Sequence, residues 1–406
     1  MLKIHAFFKA GCVKFAVVLI SISAVTAFAA TGNASDESAR NSISGQSVSG
    51  QTASDPSLSN WALARGNPES TGATDQVVPK DLAVKWEYKA DEAIESALVV
   101  ADNLVFAADV MGKLYAISRS DGNEVWTHNY DTGFTAAPAF HNGHLAIGDV
   151  EGNFYFLDAK TGELRWQAET NGEIDGSAAF FGDNVLVASQ DGKLYCFAVN
   201  DGSSVWTYQT DDQIRCSPTV AGDRTFLGGC DGQLHVVDLN TGKAIGDTIP
   251  LGGPTGSTPA VQGDSVYLPI MDGAVLALDW KNQKEKWRYI DEDRPQEYRG
   301  SAAVAGDQVI VSSQNKQVDS ISMKTGKRLW RYTLRRRADA SPVISADDVW
   351  IASTDGRLIR LSLNDGSERW KYEIRGSFIA PPAIAGGEVF VADDNGVIRC
   401  FAKPTT

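Results

Sequence analysis

The chain has 406 residues, 43% hydrophobic and 22% charged, with 37 basic and 51 acidic side chains and a net charge of −14. That is enough apolar mass for a large core, and the acidity excludes a protein built to coat nucleic acid or an anionic membrane surface. Five histidines and five cysteines, all scattered, exclude a zinc-ribbon or cluster-binding design and leave no metal site to expect.

Lys3, Lys9 and Lys14 precede the apolar run from Phe15 to Phe28, and Ala27-Phe28-Ala29 fits a small-x-small cleavage site. Residues 1–29 therefore read as a secretory signal, which implies a periplasmic or secreted protein. The run is too short for a membrane span, which needs roughly 20 residues, so no transmembrane helix is expected once the signal is removed. Cys12 lies before the apolar run and makes a poor lipoprotein site. Cleavage removes three lysines and no acid, taking the net charge from −14 to −17. Residues 30–60 hold nine serines and few large apolar side chains. Such a segment cannot bury enough surface to offset chain entropy, so a disordered tether is expected there. A leader follows over residues 61–82.

Beyond the leader the sequence repeats. Trp86, Trp126, Trp166 and Trp206 are 40 residues apart, Trp287, Trp330 and Trp370 continue the series, and one member is missing at Gly246. Turns such as Asp121-Gly122 and Thr161-Gly162 precede the tryptophans. An earlier turn in each copy falls at Gly112, Gly152, Gly192, Gly232, Gly273, Gly356 and Gly396, with Lys316 replacing Gly once. Short alternating runs between them, such as Asn184–Ala188 and Lys193–Ala198, read as strands, and no window carries a helical period. Four strands, A to D, in 40 residues make a propeller blade. The expected inner strands are 94–100, 134–140, 174–180, 214–220, 255–261, 298–304, 338–344 and 378–384. The spacing thus predicts an all-β, eight-bladed β-propeller of four-stranded antiparallel blades over residues 83–402. The last copy lacks strand D, and the unattached strand 83–90 carrying Trp86 should close the ring on it, leaving no open edge. The ring is expected to be monomeric.

The stretch Phe156-Leu-Asp-Ala-Lys-Thr-Gly-Glu-Leu-Arg-Trp166 resembles the quinoprotein, or PQQ-like, propeller repeat, as do 277–287 and 320–330. The leader, with Trp61, Arg65-Gly66-Asn67 and Thr71-Gly72, is similar to the segment that precedes such rings. The resemblance implies tryptophans packed against neighbouring blades. It also implies one of two roles: a non-catalytic binding protein similar to BamB, which assists outer membrane protein assembly, or a PQQ-dependent alcohol or sugar dehydrogenase. The dehydrogenase would bring PQQ and calcium, a catalytic Asp and commonly a vicinal disulfide, yet no two cysteines are adjacent here. A carbohydrate-binding propeller is a third reading.

Aligning the inner strands brings Glu95, Thr135, Asp175, Arg215, Gly256, Arg299, Asp339 and Ile379 to one position at the channel entrance. They form either mutually satisfied pairs, such as Asp175 with Arg215, or a polar mouth for a peptide or small ligand. The acidic loop 291–297 and the basic triplet Arg335-Arg336-Arg337 lie on the same rim, the triplet being suited to docking a carboxylate or an acidic protein partner. No residue is assigned a catalytic role. His141 and His144 read as a solvated turn. Cys216 and Cys230 lie on consecutive strands, where a cross-strand disulfide and two buried thiols are both open. Cys196 and Cys400 are expected to be free.

Overall fold

A computed structural model describes residues 60–404. The expected signal and all but the last residue of the expected tether lie outside the described residues. Within them the protein is all-β, with eight antiparallel blades and no helix. The first blade comprises Val99–Ala101, Leu104–Ala108, Lys113–Ser118 and Glu124–Asn129, and the pattern recurs around the ring. Strands B and C fall where the alternation places them, for example Asn184–Ala188 and Lys193–Ala198. The ring closes as expected. Ala83–Lys89 pairs antiparallel with Val397–Ala402 and completes the last blade.

The inner strands differ from expectation. Each is only three residues long, as in Val99–Ala101 and Val343–Ser345, and starts at the far end of the expected segment. Proline explains most of the shortening. Pro138, Pro218, Pro259, Pro342 and Pro382 stand just before their inner strands, where a ladder would need an N–H that proline lacks. The residues ahead of them instead run as extended, channel-lining chain.

The tryptophans join successive blades. Trp86 Nε1 donates to the Arg119 carbonyl at 2.9 Å, Trp126 to Ala159 at 3.0 Å, and Trp166 to Val199 at 2.7 Å, each reaching into the next blade. The next blade's C–D turn glycine lies flat beneath the ring. A Cβ on Gly122 would sit 2.7 Å from Trp86, and one on Gly202 2.6 Å from Trp166. The ladder register shifts beside the tryptophan in all seven blades that carry one, as between Ala116 and Ile117. Such a bulge re-aims the side chain toward the neighbour. In the fourth blade the outer strand shrinks to Ile249–Pro250 and no shift occurs. There Gln283 replaces the missing partner, donating to the carbonyl of Asp247 at 3.0 Å, with its amide where a Gly246 Cβ would fall. Tryptophan and matching glycine are lost together at this one seam.

The core lies between blades rather than within them. Phe106 of the first blade packs with Phe140 and Tyr155 of the second, and Trp166 with Phe154 and Phe197 across the next junction. The leader has a defined path. The carbonyls of Trp61, Ala62, Pro68, Glu69, Thr71 and Gly72 accept from the N–H of Val100, Phe140, Val220, Val261, Val304 and Ile344 at 2.8–2.9 Å. It therefore runs along the channel-facing edges of six inner strands. Ala73–Thr74 adds a short parallel pairing to Ile344–Ser345.

Candidate functional site: the channel mouth

The eight aligned positions are held at one end of the channel by a repeated backbone bond. In every blade a B–C turn residue donates its N–H to the carbonyl two residues before the aligned position. Examples are Val110 to Ala93 at 3.1 Å, Gln190 to Glu173 at 2.9 Å, Gln314 to Glu297 at 2.9 Å and Asp394 to Ser377 at 3.0 Å. The mouth therefore has a second ring of residues, among them Gln190, Gln314, Thr354 and Asp394, that the inner-strand alignment missed. The signal was present in the sequence: each stands two residues before the B–C turn glycine or its Lys316 substitute. The leader contacts the inner strands five residues further along, roughly 16 Å deeper at about 3.3 Å per residue, and so crosses the opposite end.

The ring does not neutralise itself. Asp175 and Arg215 approach only to 3.9 Å, because Gln190 stands between them. The Gln190 amide nitrogen donates to Asp175 at 2.7 Å and to Glu173 at 2.6 Å, while its carbonyl accepts from Arg215 at 3.1 Å. Thr135 donates to Asp175 at 3.2 Å. Arg299 turns to Glu297 of its own segment at 2.8 Å rather than to a ring neighbour. Asp339 accepts from Gln314 at 2.8 Å and pairs with Arg337 at 3.1 Å. A Cβ on Gly256 would meet Arg215 Cβ at 3.6 Å, so the glycine lies against the Arg215 stem. Arg299 and Asp339 thus take a charged partner from their own segment, while Asp175 and Arg215 are bridged to neighbouring blades through Thr135 and Gln190.

Glu95 occupies the junction of the last and first blades. Burial, and then the nearby Asp394 charge, push its pKa up. An acid with a raised folded-state pKa stabilises the protein while protonated, and that contribution is lost as pH rises through the folded value. Glu95→Gln should therefore raise the melting temperature at neutral pH, with the gain disappearing below the ordinary carboxylate range. Equal gains at pH 3 and pH 7 would show that Glu95 carries no such burden.

A pocket of about 640 Å³ opens between blades six, seven and eight, lined by Gln314, Lys316, Arg336, Arg337, Asp339, Thr354, Ser377 and Ile379. The arginine triplet divides here. All three are exposed; Arg336 and Arg337 line the pocket, whereas Arg335 reaches Glu373 at 3.7 Å. Lys316 adopts φ +68° where the other seven copies have glycine. A left-handed conformation costs a non-glycine residue about 1 kcal/mol, and here the residue that bears it lines the pocket. The acidic loop is less open than its composition suggests, since Asp291 is buried against Arg331 at 2.5 Å.

Cys196, Cys216 and Cys400 are free, buried thiols. The Cys216–Cys230 disulfide is not formed: Cys216 is a free thiol that donates to the Gly228 carbonyl at 3.2 Å. The hairpin ladder begins at Thr219 opposite Phe226, so Cys216 precedes it and turns into the inter-blade core with Ile214 and Leu227. Cys196 and Cys400 are also free and buried, and burial pushes the Cys196 and Cys216 thiols up to about 12, far from a reactive thiolate. His141 and His144 face each other across the A–B hairpin turn, stacked on Phe180 and Phe156.

Comparison with known proteins bears on the fold. The crystal structure of BamB from Moraxella catarrhalis superposes with a TM-score of 0.70 at 21% identity, covering 80% of this chain and 99% of that one. A europium-containing methanol dehydrogenase gives 0.74 at 12% identity over 86% and 99% of the two chains. The quinohemoprotein alcohol dehydrogenase of Comamonas testosteroni gives 0.74 at 14% identity over 87% and 82%. At these identities the likeness shows the fold alone. No curated protein matches by sequence. The family model described as outer membrane protein assembly factor BamB matches residues 25–173, 110–248, 217–349 and 314–405, so the chain belongs to that family of PQQ-like propellers.

Proposed function

We propose that this propeller is a non-catalytic binding ring of the cell envelope, exported through residues 1–29, that holds a protein or peptide partner at its mouth in a BamB-like assembly role. The observation that carries the reading is the pocket walled by Lys316, Arg336 and Arg337. A strained cation at a glycine position has no packing purpose, while an acidic segment or terminal carboxylate of a partner would find two guanidinium forks and an ammonium there. Among the described residues no helix is long and apolar enough to cross a membrane.

The dehydrogenase reading asks for PQQ with a divalent cation held by converging carboxylate and amide oxygens. Among the described residues no three His, Cys, Asp or Glu side chains converge. Asp175 and Asp339 at the mouth already accept from Gln190 and Gln314, with Arg215 and Arg337 alongside. These residues do not fit the group.

The test replaces Lys316 by Gly and Arg336 and Arg337 by Ala, then crosslinks protein in the native envelope. Capture should fall at least tenfold while the melting temperature holds or rises slightly, because exposed charges contribute little to stability and Lys316→Gly relieves strain. Undiminished capture would move the docking site elsewhere, and dye reduction by protein mixed with PQQ, calcium and an alcohol would overturn the non-catalytic reading.

A further inference from the structure

The opposite charges of the mouth do not neutralise one another. Lys316, Arg336 and Arg337 line the pocket between blades six, seven and eight. Of these three cations only Arg337 is paired, to Asp339 at 3.1 Å; Lys316 and Arg336 have no acidic partner among the described residues. Glu95 stands one blade further round, half-buried, with no hydrogen bond or ion pair among the described residues. Burial and the Asp394 charge both work against its ionised form, and no cation opposes them. Neither feature serves the fold. Lys316 bears a left-handed backbone, and Glu95 a partly desolvated charge without a partner.

The two sectors adjoin. The Asp394 carboxylate accepts from the Ser377 N–H at 2.8 Å, and the Asp394 N–H donates to the Ser377 carbonyl at 3.0 Å. Ser377 itself lines the pocket, as does Ile379, which holds the ring position next to Glu95. Neighbouring ring positions lie within side-chain reach, as the Thr135 to Asp175 bond at 3.2 Å shows. Followed round the rim, the mouth therefore presents cations, then an apolar side chain, then two acids.

We propose that the mouth reads a bipolar peptide segment of a protein partner: an Asp or Glu enters the Lys316–Arg336–Arg337 pocket while a nearby Lys or Arg meets Glu95 and Asp394. This rests on the docking reading above and names the chemistry of the segment that docks. In an extended chain alternate side chains share a face, at about 3.3 Å per residue. An acid, an apolar residue and a base at alternate positions would thus match the cations, Ile379 and the two acids in turn. A wholly acidic segment would run on into Glu95 and Asp394, and a wholly basic one into Lys316 and Arg336. Like charges so opposed reject the wrong partner more strongly than attraction selects the right one.

Three fluorescein-labelled Gly-Ser decapeptides, titrated against the exported protein at low salt and followed by anisotropy, test the proposal. The first carries Asp, Leu and Lys at alternate positions, the second has Gln for Lys, and the third has Asn for Asp. The first should bind at least tenfold more tightly than either of the others. Glu95→Gln, expected above to stabilise the fold, should remove the advantage of the first peptide over the second without weakening the second. Arg336→Ala should weaken both. This pattern couples the peptide's lysine to Glu95, as a double-mutant cycle requires, and a merely structural Glu95 would not produce it. If the first and second peptides bind the wild type alike, or Glu95→Gln keeps the preference, bipolar recognition is overturned, while docking at the basic pocket stands as long as Arg336→Ala still weakens them. Binding of none of the three also overturns it, and the crosslinking experiment then judges the docking reading by itself.

Discussion

Deleting residues 83–89 should abolish cooperative unfolding and leave a protein that aggregates when expressed. This strand supplies the whole outer edge of the last blade, pairing from Ala83 with Ala402 to Lys89 with Val397. It also joins the last blade to the first. Trp86 is 7% exposed, lies 6.0 Å from the Phe390 ring, and donates to the Arg119 carbonyl at 2.9 Å. Lys85 meets Glu388 at 2.7 Å and Glu87 meets Arg399 at 2.8 Å. Burying one tryptophan stabilises by about 3 kcal/mol. Adding the ladder and the packing over Phe401 brings the loss close to a domain's whole stability of about 5–15 kcal/mol. The milder change Trp86→Ala should cost about 3–5 kcal/mol. Urea unfolding followed by tryptophan fluorescence reads both variants, and an unchanged midpoint for the deletion would sink the account of ring closure.

Gly72→Ala should be nearly as damaging, although it adds one methyl group. Gly72 has φ +61°, and a Cβ there would lie 1.9 Å from Arg65 Nη2. The guanidinium cannot withdraw, because its two carbonyl partners fix it in a closed space. The Gly72 carbonyl also accepts from Ile344, and its N–H donates to Arg65, so displacing the turn detaches the leader from blade seven. Strain and a displaced buried charge together should cost about 3 kcal/mol or more. Protease sensitivity near residue 66 should rise in parallel. A variant that melts with the wild type would show that the leader is only loosely engaged.

What was legible in the sequence follows from what repeats. The 40-residue tryptophan spacing and its paired turns state the same packing rule seven times, so blade number and ring closure could be read directly. The inner strands were read too long because alternation of small residues looks alike in a strand and in proline-interrupted extended chain. The aligned position from Glu95 to Ile379 was legible for the same reason as the blades. Its partners Gln190, Gln314 and Asp394 stand at an equally regular position, two residues before the B–C turn glycine or Lys316, but the backbone bond that brings that position to the mouth forms only once the blades fold. The state of Cys216 stayed open because two residues roughly opposite across a hairpin need a ladder at their own level, and this one begins later. The burial of Arg65 has no sequence signature, since it arises where a non-repeating leader meets several repeats.

The pairing of Ala83 with Ala402 also fixes an order of events. The strand that seals the ring is made before any complete blade, and its partner is made only after the seven blades between them. Until then the first blade's Gly122 face waits for Trp86, and the Trp86 strand has nothing to pair with. Blades can form one at a time as the chain emerges, because their contacts are local. The leader can stitch its six strands once blade seven is made, but the ring must wait for Val397–Ala402. Folding is therefore fast within blades and slow at closure, as long-range pairing dictates. The unclosed ring is the stage at which open strand edges expose the chain to aggregation.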